Sequence, residues 1–180
     1  MTYGGGRQQE SENAIYAHSA AVDLEIAATP EDLFDALDDP TRLGRHMRKP
    51  SLMMLGGWMR YRLDEGQGRA IGSGIRMDGR FAFLGLAVDE VVIERRRPFR
   101  KVWETRGRPR LLVIGDYRMG FDIAPAGEGS HLHVFIDYDD PGTSLGRFAG
   151  SLLGPIYARW CVRRIAEDAA DLAKSPKAGI

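Results

Sequence analysis

The chain is poor in the features that most often betray a chemistry. Among its 180 residues there is one cysteine, Cys161, which excludes an intrachain disulfide framework and any multi-cysteine zinc or iron–sulfur site. A lone unpaired thiol fits a reducing compartment. Net charge is also missing: 25 lysines and arginines balance 25 aspartates and glutamates, so global charge marks neither a nucleic-acid binder nor an acidic scaffold. No stretch approaches the roughly 18 uninterrupted apolar residues of a membrane span. The opening residues Met1 to Asn13 hold no apolar core of the secretory kind. They are polar and glycine-rich, with too little apolar surface to offset their ordering entropy. We therefore expect a tail over 1–13, one domain over 14–174, a short tail over 175–180 and a cytoplasmic protein.

What is present begins with a strand that feeds a capped helix. Val22, Leu24 and Ile26 alternate with Asp23 and Glu25, the period-two pattern of a half-buried strand. Thr29-Pro30-Glu31-Asp32 then supplies an N-cap, a proline at the first helical position and acids in the first turn. Leu33, Phe34 and Leu37 give the helix its apolar face, and Asp39-Pro40 ends it. A second short helix is predicted over Pro40 to Met47.

Strands follow. Ser51 to Leu63 carries Met53, Leu55, Met59 and Tyr61 on one parity, with Gly56-Gly57 as a bend or bulge. Further strands are predicted from Ile71 to Asp78, Leu86 to Arg95, Arg100 to Arg106, Leu111 to Ile123 and Leu132 to Tyr138. Short glycine and proline turns between them argue for an antiparallel meander.

The C-terminal region is helical with two apolar stripes. Leu145, Phe148, Ala149, Leu152 and Leu153 form one; Ala158, Cys161, Val162, Ile165, Ala169 and Leu172 form the other. At about 100° per residue the two lie on nearly opposite sides of a straight helix. A straight helix could not bury both against the same sheet, so the chain must turn between them at Gly154-Pro155, where proline removes a backbone hydrogen bond and forces a kink or break. The expectation is a short helix, a hinge and a long helix from Pro155 to about Lys174, with the first segment acting as a lid.

This order of elements, with the segment Thr29-Pro30-Glu31-Asp32-Leu33-Phe34-Asp35-Ala36-Leu37-Asp38-Asp39, resembles the helix-grip superfamily over roughly Ala17 to Ala173. That group, also called SRPBCC, holds START lipid-transfer domains, birch-pollen-allergen-like proteins, polyketide cyclases and coenzyme Q-binding proteins. The resemblance implies an α+β fold: a seven-stranded antiparallel curved sheet around a long C-terminal helix, with two short helices after the first strand. It also implies an apolar cavity between sheet and helix, but no single chemistry, because one fold hosts many functions.

The expected cavity lining follows strand parity. It comprises Met59, Tyr61, Met77, Phe83 and Trp103, then Thr105, Tyr117, Met119 and Phe121, with Leu153 and Tyr157 from the helix. Methionine adapts to varied ligands, and buried tyrosines need a hydrogen-bond partner that a ligand can provide. Tyr61, Thr105 and Tyr117 are the expected polar groups. Over Leu86 to Arg95 either parity carries an acid, Asp89 or Glu90; an inward one is a candidate base. The simpler reading is a bulge that keeps both in solvent, so no catalytic residue is assigned.

Other candidates read as structural. His131 and His133 stand opposite Leu132, Val134 and Ile136 and so face solvent, without the converging ligands a metal needs. Cys161 sits on an apolar stripe, where no thiolate is favoured. Gly72-Ser73-Gly74 lies within an alternating pattern and is no phosphate loop. Arg95, Arg96, Arg97, Arg100 and Lys101 surround a turn bearing Phe99, a candidate foot for anionic lipid. No reading helix or stacking platform for nucleic acid accompanies them. The resulting expectation is a carrier or sensor of a lipid, quinone or polyketide-like molecule, without metal or cofactor. The alternative is a cyclase or dehydrase using the same cavity.

Overall fold

The computed structural model describes residues 16–40, 58–81 and 84–174. These form β1 (His18–Ile26), α1 (Pro30–Leu37), β2 (Trp58–Leu63), β3 (Gly74–Phe81), β4 (Leu84–Arg96), β5 (Arg100–Thr105), β6 (Tyr117–Ala126), β7 (Gly129–Tyr138) and α2 (Ser144–Lys174). The sheet has seven strands in the order β1-β7-β6-β5-β4-β3-β2, every neighbouring pair antiparallel. Strands β2 to β7 are a meander, and β1 closes onto the last strand. Helix α2 packs on β1 and β7 and touches α1.

Local sequence explains most of this. The Thr29 hydroxyl accepts from the Asp32 amide at 3.2 Å, satisfying one of the free donors at the start of α1. Leu33, Phe34 and Leu37 are then fully buried. Strand β7 alternates cleanly: Leu132, Val134, Ile136 and Tyr138 point inward, while His131, His133 and Asp137 point out. Its hairpin with β6 turns at Gly127, whose φ of 56° suits a residue without a Cβ.

Several predicted boundaries move. Strand β3 starts at Gly74, and Ile71 is 63% exposed in the preceding turn. The Asp64 carboxylate causes this, accepting from Ser73 Oγ at 2.5 Å and from the Gly74 amide at 2.6 Å. Strand β6 starts at Tyr117 rather than Leu111, because Arg110 is drawn aside by two hydrogen bonds with the Ala87 backbone at 2.7 and 3.2 Å. The predicted second helix beyond Pro40, the bend at Gly56-Gly57 and both tails lie outside the described residues.

The largest correction concerns α2. It runs unbroken from Ser144 to Lys174 through Pro155, so the predicted hinge is absent and the lid built on it falls. The prediction assumed that both apolar stripes are buried. In fact Phe148 is 74% exposed and Leu152 66%, whereas Ala158, Cys161, Val162, Ile165 and Ala169 form the buried stripe. With only one stripe to bury, the helix has no reason to turn. Among the described residues, no helix is long and apolar enough to cross a membrane.

Candidate functional site

Between the sheet and α2 lies a cavity of about 80 Å³, several times the roughly 10–15 Å³ that one water requires. Its walls are mostly apolar: Ile75, Met77, Val88, Met119, Ile136 and Ile165, with Leu111, Ile114 and Pro40 at the sides. Tyr61, Tyr117, Tyr157, Trp103, Cys161, Lys101 and Glu90 supply the polar atoms.

Glu90 is the feature that the sequence left undecided. Along β4 the inward parity is Leu86, Val88, Glu90 and Val92, all buried, with Glu90 6% exposed. The β4 register irregularity falls between Val92 and Glu94, beyond the residue it was expected to relieve. The expectation that both acids reach solvent is therefore corrected for Glu90. Asp89 does point outward, pairing with Arg76 at 3.1 Å.

The Glu90 carboxyl is hydrogen-bonded to the Tyr117 hydroxyl and to the Trp103 side chain. Burial pushes its pKa from the ordinary 4.5 up to about 7, against the opposing pull of those two bonds and of the Lys101 charge. The Tyr117 hydroxyl is held well above its usual range by burial and by Glu90. Across the cavity, the Tyr157 hydroxyl and the Cys161 thiol share a hydrogen bond, and burial pushes the thiol up to about 12. Cys161 thus lines the cavity without the thiolate character of a nucleophile.

Chemically, this is a carboxyl near the midpoint of its titration at neutral pH in an apolar chamber. Protonated, Glu90 donates a hydrogen bond to a carbonyl; ionised, it accepts one from a hydroxyl. Such a poised group in a cavity is a recognised sign of a functional site. Lys101 is a different matter. Its ammonium lines the cavity but donates to the Asp38 carbonyl and to Asp38 Oδ1, both at 2.8 Å, closing off the end of α1.

Of the expected lining, Tyr61, Met77, Trp103, Tyr117, Met119 and Tyr157 meet at the cavity. Three do not. Thr105 Oγ1 is turned to Asp116 Oδ1 at 3.2 Å and to the Tyr117 backbone, a strand-end contact. Phe121 is fully buried between Phe34, at 5.6 Å, and Trp103, at 6.4 Å, so it seats α1 instead. Leu153 is 46% exposed on the outer side of α2. Met59 falls in β2, its side chain outside the described set, and Phe83 lies outside the described residues.

One residue of the basic hairpin is also corrected. Lys101 is 1% exposed and cannot touch a surface. Arg95 pairs with Asp38 at 2.7 Å, Arg96 with Glu94 at 2.7 Å, Arg97 with Asp35 at 2.7 Å and Arg100 with Asp122 at 2.6 Å. Each of these four arginines thus faces a carboxylate. On the outer face of the sheet, His131 lies 2.7 Å from Glu25 and 3.0 Å from Asp23, cross-strand partners that raise its pKa.

A seven-stranded antiparallel sheet closed on a long C-terminal helix, with an apolar chamber between them, is the helix-grip arrangement. The chain belongs to the family described as polyketide cyclase / dehydrase and lipid transport, whose sequence profile matches residues 17–175. Norcoclaurine synthase from Thalictrum flavum, solved with dopamine and hydroxybenzaldehyde, superposes with a TM-score of 0.64 at 15% identity, covering 99% of this chain and 98% of that one. Protein TTHA0849 from Thermus thermophilus gives 0.63 at 12% identity, over 87% and 97%. Protein CV1439 from Chromobacterium violaceum gives 0.60 at 16%, again over 87% and 97%. At such identities the likeness is one of fold. No curated protein matches at the level of sequence. The family and fold support binding of hydrophobic molecules in general.

Proposed function

We propose that the protein binds an apolar small molecule in this cavity and reads one polar group on it, a hydroxyl or a carbonyl, with Glu90 and Tyr117. The observation that carries this reading is one buried carboxyl, with a tyrosine hydroxyl on it, in a largely apolar wall. The apolar surface supplies affinity: some 300 Å² of ligand buried at about 25 cal/mol per Å² contributes roughly 7 kcal/mol before ordering costs. Met77 and Met119 let the wall adapt to shape. A carrier or sensor of a lipid, quinone or polyketide-like compound fits these properties.

Native mass spectrometry of the purified protein is the direct test, with a co-purified small molecule as the expected result. In titrations, an apolar fluorescent probe carrying a hydroxyl should bind one site at micromolar concentration. Glu90→Gln should weaken that probe about tenfold, the cost of one altered buried hydrogen bond, and leave a hydrocarbon probe unaffected. Failure of every aliphatic and aromatic probe at high micromolar concentration would overturn the reading.

A second reading is favoured by the same carboxyl. A buried acid poised near neutrality can move a proton on a bound substrate, as a cyclase or dehydrase requires. Here Glu90→Gln would keep binding and abolish ring closure or water elimination. Recovery of the ligand chemically unchanged after long incubation supports the carrier instead.

A further inference from the structure

The first half of α2 is turned the wrong way round for a helix with only water outside it. Its glycines press inward: a Cβ at Gly150 would lie 2.7 Å from Pro141, and one at Gly154 would lie 3.0 Å from the Val113 carbonyl. Its large apolar side chains point outward, with Phe148, Leu152, Leu153 and Ile156 between 46% and 74% exposed. At about 100° per residue, Phe148, Leu152, Ile156, Arg159 and Arg163 share a sector of some 80°. Along this face three bulky apolar groups are followed by two exposed arginines.

We infer that this face of α2 docks on an anionic lipid surface. Charge selects that occupant. From Ser144 to Ala166 the helix carries Arg147, Arg159, Arg163 and Arg164 and no acidic residue. Arg164 bonds to Glu167 at 3.1 Å, whereas Arg147, Arg159 and Arg163 have no carboxylate partner among the described residues. A second copy of the chain would bring the same arginines and no carboxylate on that stretch to meet them. A bilayer accepts both halves of the pattern: apolar side chains enter the boundary of the acyl region, and arginines beside them reach the headgroups. The proposal stands apart from the cavity, since none of these side chains lines it.

The test uses the full chain and sedimentation with vesicles of phosphatidylcholine, with and without phosphatidylserine. We expect binding to the phosphatidylserine vesicles that weakens as salt rises. Arg159→Ala with Arg163→Ala should lower partitioning about 30-fold, the equivalent of about 1 kcal/mol per arginine. Phe148→Ser with Leu152→Ser should lower it at least tenfold, and these exposed positions leave the fold intact. Phe148→Trp supplies an independent readout, with a blue shift in fluorescence on adding phosphatidylserine vesicles. Absence of sedimentation at low salt, wild-type binding by either double variant, or no blue shift would each overturn the proposal. So would a concentration-dependent dimer abolished by Leu152→Ser, which assigns the face to a second copy.

Discussion

Asp38 and Glu90 are 5% and 6% exposed, nearly the same depth, yet they are surrounded by opposite electrostatics. Asp38 is met by two cations, Lys101 at 2.8 Å and Arg95 at 2.7 Å, and holds the strand pair β4–β5 against the end of α1. Burial pulls the Lys101 pKa down, while Asp38 works to raise it. Glu90 has hydrogen bonds from Tyr117 and Trp103 and only the distant influence of Lys101. Desolvation therefore goes unopposed by a paired charge, and the proton is retained to about pH 7. Asp38 is buried to hold the structure together. Glu90 is buried at a cost to the structure, which is the usual mark of a site kept for a ligand or a proton.

The sharpest way to break this contrast is Asp38→Ala. It strands the buried Lys101 ammonium, and equilibrium unfolding in urea should show a loss of about 3–5 kcal/mol. Adding Lys101→Met to that variant should recover part of the loss, because the unpaired charge is gone. A loss below about 1 kcal/mol would mean that the pair is no more than a surface ion pair.

The next effect in size is the pH dependence carried by Glu90. Its folded pKa of about 7 lies above the ordinary 4.5, so the folded state binds the proton more tightly than the unfolded chain. Stability from this group is full below pH 4.5 and is lost as pH rises through about 7. The difference corresponds to roughly 3 kcal/mol. Urea unfolding across that range should show the wild type losing stability relative to Glu90→Gln as pH rises, because the neutral amide does not titrate. Parallel curves would place Glu90 in contact with solvent.

The smallest effect comes from the adjacent residue. Asp89→Asn removes an exposed carboxylate from its pair with Arg76 and should change stability by less than about 0.5 kcal/mol, independently of any change at Glu90. A large, pH-dependent loss would show that the strand parity is reversed.

Strand alternation made much of the sheet legible, because β6 and β7 bury one side and wet the other. The start of α1 was readable for a similar reason, since Thr29, Pro30 and the acids after them act within one turn. The parity of β4 was not readable: Leu86, Val88 and Val92 on one side match Ala87, Val91 and Ile93 on the other, so hydrophobicity could not choose between Asp89 and Glu90. The partners of the basic hairpin were hidden by distance along the chain, with 57 residues separating Asp38 from Arg95 and 63 separating it from Lys101. The α2 hinge was misread because an apolar stripe was equated with a buried one. Gly150 and Gly154 were the available signal, small residues four apart where a helix presses against backbone.

The sheet order has a consequence for synthesis. Among the described residues strand β1 has a single strand partner, β7, with His18 opposite Tyr138 and Ile26 opposite Ser130. During translation it emerges first and has no ladder to join until more than 100 further residues have been made. Its backbone donors and acceptors are open to other chains throughout that interval. Pairing across so long a separation also slows folding, since the loop must close before any contact rewards it. A ribosome stalled before Gly129 would hold the first strand with neither its mate β7 nor the helix α2 that packs on it yet made. Nascent chains arrested before and after that strand should therefore differ sharply in protease resistance, with protection of residues near 18–26 arriving only in the longer set.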